Sequence, residues 1–215
     1  MAHTKRDGRA KQGSTGRRAG EGASTAWLNW ALLIVAAAIV IAVALSHAGL
    51  GRAVSPASSV GEAVAAPDFT LTAYQGADVL GGEEIQFSRV LGQGKPVVLN
   101  FWAGLCPPCR AEMPFFQRVY DELGDQFILV GLDIGPFVGL GSREDGQSLL
   151  GELGITYPAG TTFEAGTVAA YKVRGMPTTV FLTPDGGILE THIGILTEST
   201  LRDKVQNLIR ASGDS

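Results

Sequence analysis

Two cysteines three positions apart, set where an apolar strand runs into a helix, restrict this chain more than any other feature. Cys106 and Cys109 are the only cysteines among 215 residues. They lie in VVLNFWAGLCPPCRAEMP, residues 97–114. The first six residues are almost continuously apolar, which suits a central strand covered on both faces. A helix is expected over residues 106–123. Pro107 and Pro108 fall in its first turn, where a missing N–H costs little, and Pro114 lies deeper, where it should kink the helix. Cys106 then sits at the helix N-terminus, where the dipole and free amides stabilise a thiolate. Cys109 lies about one turn on, along the same face. Such a pair does redox chemistry: Cys106 attacks a disulfide, and Cys109 resolves the mixed disulfide.

Other uses of two cysteines fit less well. A structural disulfide framework takes more cysteines at longer spacing. A structural zinc site needs four ligands, and His3, His47 and His192 are too scattered to complete one. No metal is expected, and no cofactor beyond the Cys106–Cys109 disulfide itself.

The folded part is expected to begin at Pro67. Residues 68–73 alternate as a strand, with 84–87 as its hairpin partner and a turn of helix from Ser88. After the strand at Val97–Trp102 and the cysteine helix, residues 127–134 read as a second buried strand. Arg143–Leu153 reads as a helix, 155–158 as extended, and 164–171 as a short helix. Residues 178–183 and Ile188–Ile193 flank a Pro-Asp-Gly-Gly turn as a hairpin. Residues 197–210 close the chain as an amphipathic helix. A right-handed crossover makes the first two core strands parallel, and the hairpin adds antiparallel ones. The expected fold is α/β and thioredoxin-like, with an N-terminal β-hairpin extension and a central helical insert.

Four residues beyond the cysteines are candidates for the site. Met176-Pro177 precedes the strand TTVFL; in a thioredoxin-like fold that proline is cis, and the Met176 backbone pairs with an extended substrate. Glu112, three residues after Cys109, shares its helix face. A carboxyl there would have a raised pKa and could take the Cys109 proton. Asn100 stands in the preceding strand where many thioredoxins have a buried acid, and it cannot exchange a proton. Trp102, of the aromatic pair that closes that strand, is a further candidate substrate contact.

Residues 66–72 (APDFTLT), 95–114 (KPVVLNFWAGLCPPCRAEMP) and 173–188 (VRGMPTTVFLTPDGGI) resemble the TlpA/ResA branch of thioredoxin-like proteins, within the redoxin (AhpC/TSA-like) superfamily. The resemblance spans residues 66–212. It implies a periplasmic or extracytoplasmic reductase of protein disulfides, often serving cytochrome c maturation through apocytochrome c, with a membrane thiol transporter as electron donor. It also implies a functional role for the Glu at the position of Glu112. Two residues depart from the pattern. Leu105 stands where a Trp usually precedes the first cysteine, and Thr178 stands where members of the CcmG type carry Glu. Neither Pro107 nor Pro108 offers an amide to the Cys106 thiolate.

The N-terminus carries its own signal. Residues 1–26 hold six basic against two acidic residues, and the remainder holds 11 against 19. Residues 27–45, WLNWALLIVAAAIVIAVAL, carry no charge and would span roughly 28 Å as a helix, near the hydrocarbon thickness. Trp27 and Trp30 suit the interface, and the positive-inside rule keeps residues 1–26 in the cytoplasm. The chain is therefore read as a single-pass cell-membrane protein with an extracytoplasmic domain over residues 67–215. A cleaved signal peptide is the alternative; its apolar region is usually shorter and its leader shorter than 26 residues. Residues 46–66, small and rich in Ala, Ser and Gly, read as a flexible tether, which raises the effective concentration of the domain at membrane partners. The basic tail lacks interleaved aromatics and the remaining chain is acidic, so nucleic acid is not an expected partner.

Three rival activities share parts of this pattern. A disulfide oxidase would use the same residues and differ only in potential. A peroxidase of the peroxiredoxin type would need a Thr and an Arg around one reactive Cys, and no Thr stands just upstream of Cys106. A copper-delivery protein of the Sco type resembles the fold, but it uses CxxxC and a His in the later loop, and residues 173–176 contain none.

Overall fold

A computed structural model describes residues 24–48 and 64–213. The chain divides into two units, residues 1–59 and 60–215. In the first, helix α1 runs over Ser24–Ala48, longer at both ends than the apolar block that suggested it. No helix long and apolar enough to cross a membrane is established among the described residues. Residues 1–23 of the basic tail and 49–63 of the expected tether lie outside them.

The second unit opens with strand β1 at Thr70–Gln75, helix α2 at Ala77–Leu80, strand β2 at Glu84–Gln86 and helix α3 at Phe87–Leu91. Strand β3 at Val97–Trp102 then leads into helix α4 at Pro107–Leu123 and strand β4 at Ile128–Asp133. The insert holds helix α5 at Gly135–Val138, helix α6 at Arg143–Leu153 and strand β5 at Ala159–Thr161. Helix α7 at Gly166–Ala170, strands β6 at Thr178–Leu182 and β7 at Ile188–Ile193, and helix α8 at Glu198–Gly213 complete it.

The strands form one sheet in the order β2-β1-β5-β4-β3-β6-β7. β3 and β4 are parallel and β6 returns antiparallel to β3, as the crossover argument requires. The N-terminal hairpin forms as expected, with Thr70 opposite Gln86. It is not a mere appendage. β1 also pairs antiparallel with β5, which joins β4 in parallel. β5 is only Ala-Gly-Thr and carries no strand signal of its own; it exists because both neighbours supply a ladder. The side-chain-free Gly160 is part of this, since a Cβ there would lie 2.3 Å from the Thr72 carbonyl oxygen.

Alternation along the fully buried β3 divides the core in two. Val98 and Trp102 face α4 with Phe116, Phe127, Leu149 and Leu201. Val97, Leu99 and Phe101 face the other side with Phe69, Phe87, Val130 and Tyr171. There Phe69 stacks on Phe87 at 4.8 Å between centroids, and the Tyr171 hydroxyl donates to the Pro67 carbonyl at 2.6 Å. The folded part starts earlier than Pro67. Ala65 bridges Gly187, and the Ala66 amide donates to the Gly186 carbonyl at 2.9 Å, so residues 64–66 are pinned to the β6–β7 turn instead of belonging to a tether.

Candidate active site

The two cysteines are joined as a disulfide, with Cα atoms 5.3 Å apart. Cys106 is the N-cap of α4, in extended conformation, and its Sγ accepts from the Cys109 amide at 3.3 Å. The amides missing at Pro107 and Pro108 are thus made up by the third helical residue, the first one with an N–H to give. Both cysteines are buried, Cys106 at 2% exposure and Cys109 at 0%. α4 continues through Pro114 as one helix.

Glu112 is fully buried. Its Oε1 accepts from Asn100 Nδ2 at 2.9 Å, and its Oε2 accepts from the Leu196 amide at 3.1 Å. Asn100 Nδ2 also donates to Thr179 Oγ1 at 3.1 Å. Burial pushes the Glu112 carboxyl up to about 7, against the opposing pull of the Leu196 amide and Asn100. One helical turn from Cys109 on the buried face of α4, the group is poised to change protonation near neutral pH. Tyr157 is buried in the same cluster; burial first, then the Glu112 charge, raises its phenol. Asn100 Oδ1 and the Tyr157 hydroxyl have no hydrogen-bond partner among the described residues.

The Met176–Pro177 peptide bond is cis. Pro177 is buried and Met176 half-buried. The Pro177 carbonyl accepts from the Gly194 amide at 2.8 Å, whereas the Met176 N–H and C=O bond to nothing among the described residues. They are free to pair with an extended chain. The 194–196 loop therefore connects two parts of the site: Gly194 holds the proline loop, and Leu196 holds Glu112.

Trp102 does not sit where the sequence suggested. It is wholly buried, with its indole Nε1 close to Gly131 and its ring edge against Gly146, and so cannot touch a docked substrate. β3 is covered on both faces, and its alternation turns residue 102 into the core beneath α6. The exposed side chain beside Cys106 is Leu105 instead, at 60%.

A second buried acid escaped the sequence reading. Asp133, the last residue of β4, accepts from the Gly135 amide at 2.9 Å and from the Tyr74 hydroxyl at 3.1 Å. Burial pushes it up to about 6, with the Gly135 amide and Tyr74 opposing. The available signal was an acid at the end of an otherwise apolar strand. It anchors the insert, which in turn meets the cysteine loop: the Leu105 amide donates to the Leu140 carbonyl at 2.8 Å. A Cβ on Gly104 would lie 2.5 Å from the Asp145 backbone.

Comparison with known proteins adds to this geometry. The AhpC/TSA family profile matches residues 63–191. The thiol-disulfide oxidoreductase ResA of Oceanobacillus iheyensis is 33% identical over 180 residues, 82% of this chain and 85% of that protein. ResA of Bacillus subtilis is 27% identical over 173 residues, 80% and 89% of the two chains. Among solved structures, StoA from Bacillus subtilis superposes with a TM-score of 0.53 at 24% identity, covering 65% of this chain and 97% of that one. At that identity it speaks for the fold alone.

Proposed function

The chain belongs to the AhpC/TSA family, its relatives are thiol-disulfide oxidoreductases of the ResA type, and from that premise we propose that it acts as an extracytoplasmic, membrane-anchored dithiol reductase of protein disulfides. The observation that carries the thiol-disulfide exchange reading is Glu112: a buried carboxyl with a pKa near 7 on the face of Cys109. Such a group accepts the Cys109 proton at the moment the resolving sulfur must become a thiolate.

The steps balance as follows. The Cys106 thiolate attacks a substrate S–S bond, forms a mixed disulfide and releases one substrate thiolate. Cys109 gives its proton to Glu112 and attacks Cys106 Sγ. The Cys106–Cys109 disulfide closes, and the second substrate thiolate leaves. Two electrons pass to the substrate, and an external dithiol donor must return them. The substrate strand pairs with the free Met176 backbone beside Pro177.

Location and partners extend this proposal. A basic tail before an uncharged apolar helix, with Leu32, Leu33, Ile34 and Val35 of α1 exposed, supports a single-pass anchor with residues 1–26 in the cytoplasm. In that setting a membrane thiol transporter is the electron donor, and apocytochrome c is one candidate substrate. The opposite direction, disulfide donation, uses the same residues. Redox equilibration of the full chain against glutathione and dithiothreitol separates the two. A potential near that of thioredoxin, about -270 mV, supports the reductase, and one near about -120 mV refutes it.

A further inference from the structure

The segment that leads into the proline loop carries two cations without acidic partners. Arg110, Arg118, Arg202 and Lys204 each pair with a carboxylate. Lys172 and Arg174 are exposed and pair with none among the described residues. Lys172 has φ of 54°, the one non-glycine residue in the left-handed region among those described. Just past a helix, that conformation is ordinarily left to glycine, and a lysine there costs about 1 kcal/mol. The chain keeps a long cation where glycine would be easier. The turn is fixed by bonds from the Lys172 amide to the Ala169 carbonyl and from the Val173 amide to the Val168 carbonyl, each 3.0 Å.

Beyond that turn the exposure alternates: Lys172 and Arg174 face outward, and Val173 packs against the core. Both cations line a groove of about 400 Å3 whose other walls include Ile188, Thr191 and Ile193. Two residues after Arg174 comes Met176, with its unpaired backbone. At about 3.3 Å per residue, a strand paired with Met176 would pass Arg174 after roughly 7 Å, with Lys172 beyond it across the left-handed turn.

We propose that Lys172 and Arg174 form a cationic subsite beside the Met176–Pro177 platform that selects disulfide-bearing chains with acidic side chains two to four residues from the one paired with Met176. This rests on the thiol-disulfide exchange reading. The net negative charge of the chain does not oppose it, because distant surface charges are screened within about 8 Å at physiological salt, whereas the two cations act at contact. Attraction of this kind changes encounter and orientation more than the sulfur chemistry.

The test uses the purified full chain, reduced, and three peptides that share one disulfide and carry Glu, Gln or Lys at the second to fourth residues from the one set to pair with Met176. Each rate is divided by the same protein's rate with bis(2-hydroxyethyl) disulfide, a neutral small substrate. The Glu peptide should exceed the Gln peptide in second-order rate constant by roughly 3- to 10-fold at physiological salt, with Lys slowest and the spread collapsing at high salt. In the Lys172→Glu/Arg174→Glu double variant the order should invert. Equal rates for the three peptides, or an order untouched by the double variant, overturn the subsite while the neutral substrate still reports exchange. No reduction of the neutral disulfide by the unmodified reduced chain overturns the exchange reading and the subsite with it.

Discussion

Asn100 Nδ2 donates to Glu112 Oε1 at 2.9 Å, in the buried layer between β3 and α4. The bond joins the strand before the cysteines to the helix that carries them. It gives the carboxylate form a partner where burial alone would keep the acid neutral, so the pKa settles near 7 instead of higher. An amide in that strand position holds the acid without competing for its proton.

Glu112→Gln keeps the size of the side chain and removes the acid. Disulfide reduction by this variant should fall by about 10-fold or more at pH 7. Its pH–rate profile should lose the inflection near 7 that the unmodified chain shows. A profile of unchanged shape rejects the proton-acceptor role.

The same group makes stability depend on pH. Its pKa rises from an ordinary 4.5 to about 7 on folding, so the native state holds a proton that the unfolded chain has already released. The stabilisation is complete below pH 4.5 and is lost as pH rises through 7, a difference of roughly 3 kcal/mol. Asp133 acts in the same direction at lower pH. Urea unfolding of the oxidised chain at pH 5 and pH 8 should show the loss, and Glu112→Gln should shrink it. Equal shrinkage by a surface Glu→Gln change such as at Glu152 would contradict the assignment.

The cysteines should be unequal. Cys106→Ser should abolish insulin-disulfide reduction. Cys109→Ser should leave an attacking thiolate that accumulates mixed disulfides, visible by mass spectrometry. Equal residual activity in the two variants would sink the division of roles drawn from the place of Cys106 at the helix N-cap.

Gly146 lies inside α6, where helix propensity alone predicts that Ala stabilises by about 1 kcal/mol. Its absent Cβ, however, would lie 2.3 Å from Asp133 Oδ2. Gly146→Ala should therefore destabilise by about 1–3 kcal/mol, measured as a lower urea midpoint at constant slope. A stabilised variant would show that α6 moves freely over Asp133.

The topology is checked in cells. A periplasm-dependent reporter fused after Ser215 should be active and the chain should stay with membranes. Activity of a cytoplasm-dependent reporter at that point refutes the extracytoplasmic placement.

Local pattern settled a great deal of this protein. The apolar run of β3, two prolines in the first turn of α4 and two cysteines a turn apart fix a strand-to-helix junction with the sulfurs at the helix start, because each follows from short-range geometry. Val97–Trp102, Arg143–Leu153 and Ile188–Ile193 fall at the boundaries their patterns predict. What is decided at long range was not readable. β5 has no strand composition and forms only between β1 and β4. Trp102 turns inward because the sheet is covered on that face as well. The Leu196 amide, 84 residues from Glu112, becomes its partner only when the loop after β7 folds over α4. Sequence by itself placed Cys106 and Cys109 together at the helix start, since their spacing lies within one helical turn. Only the tertiary structure decided the acidity of Glu112, because pKa depends on burial and on partners brought from distant parts of the chain.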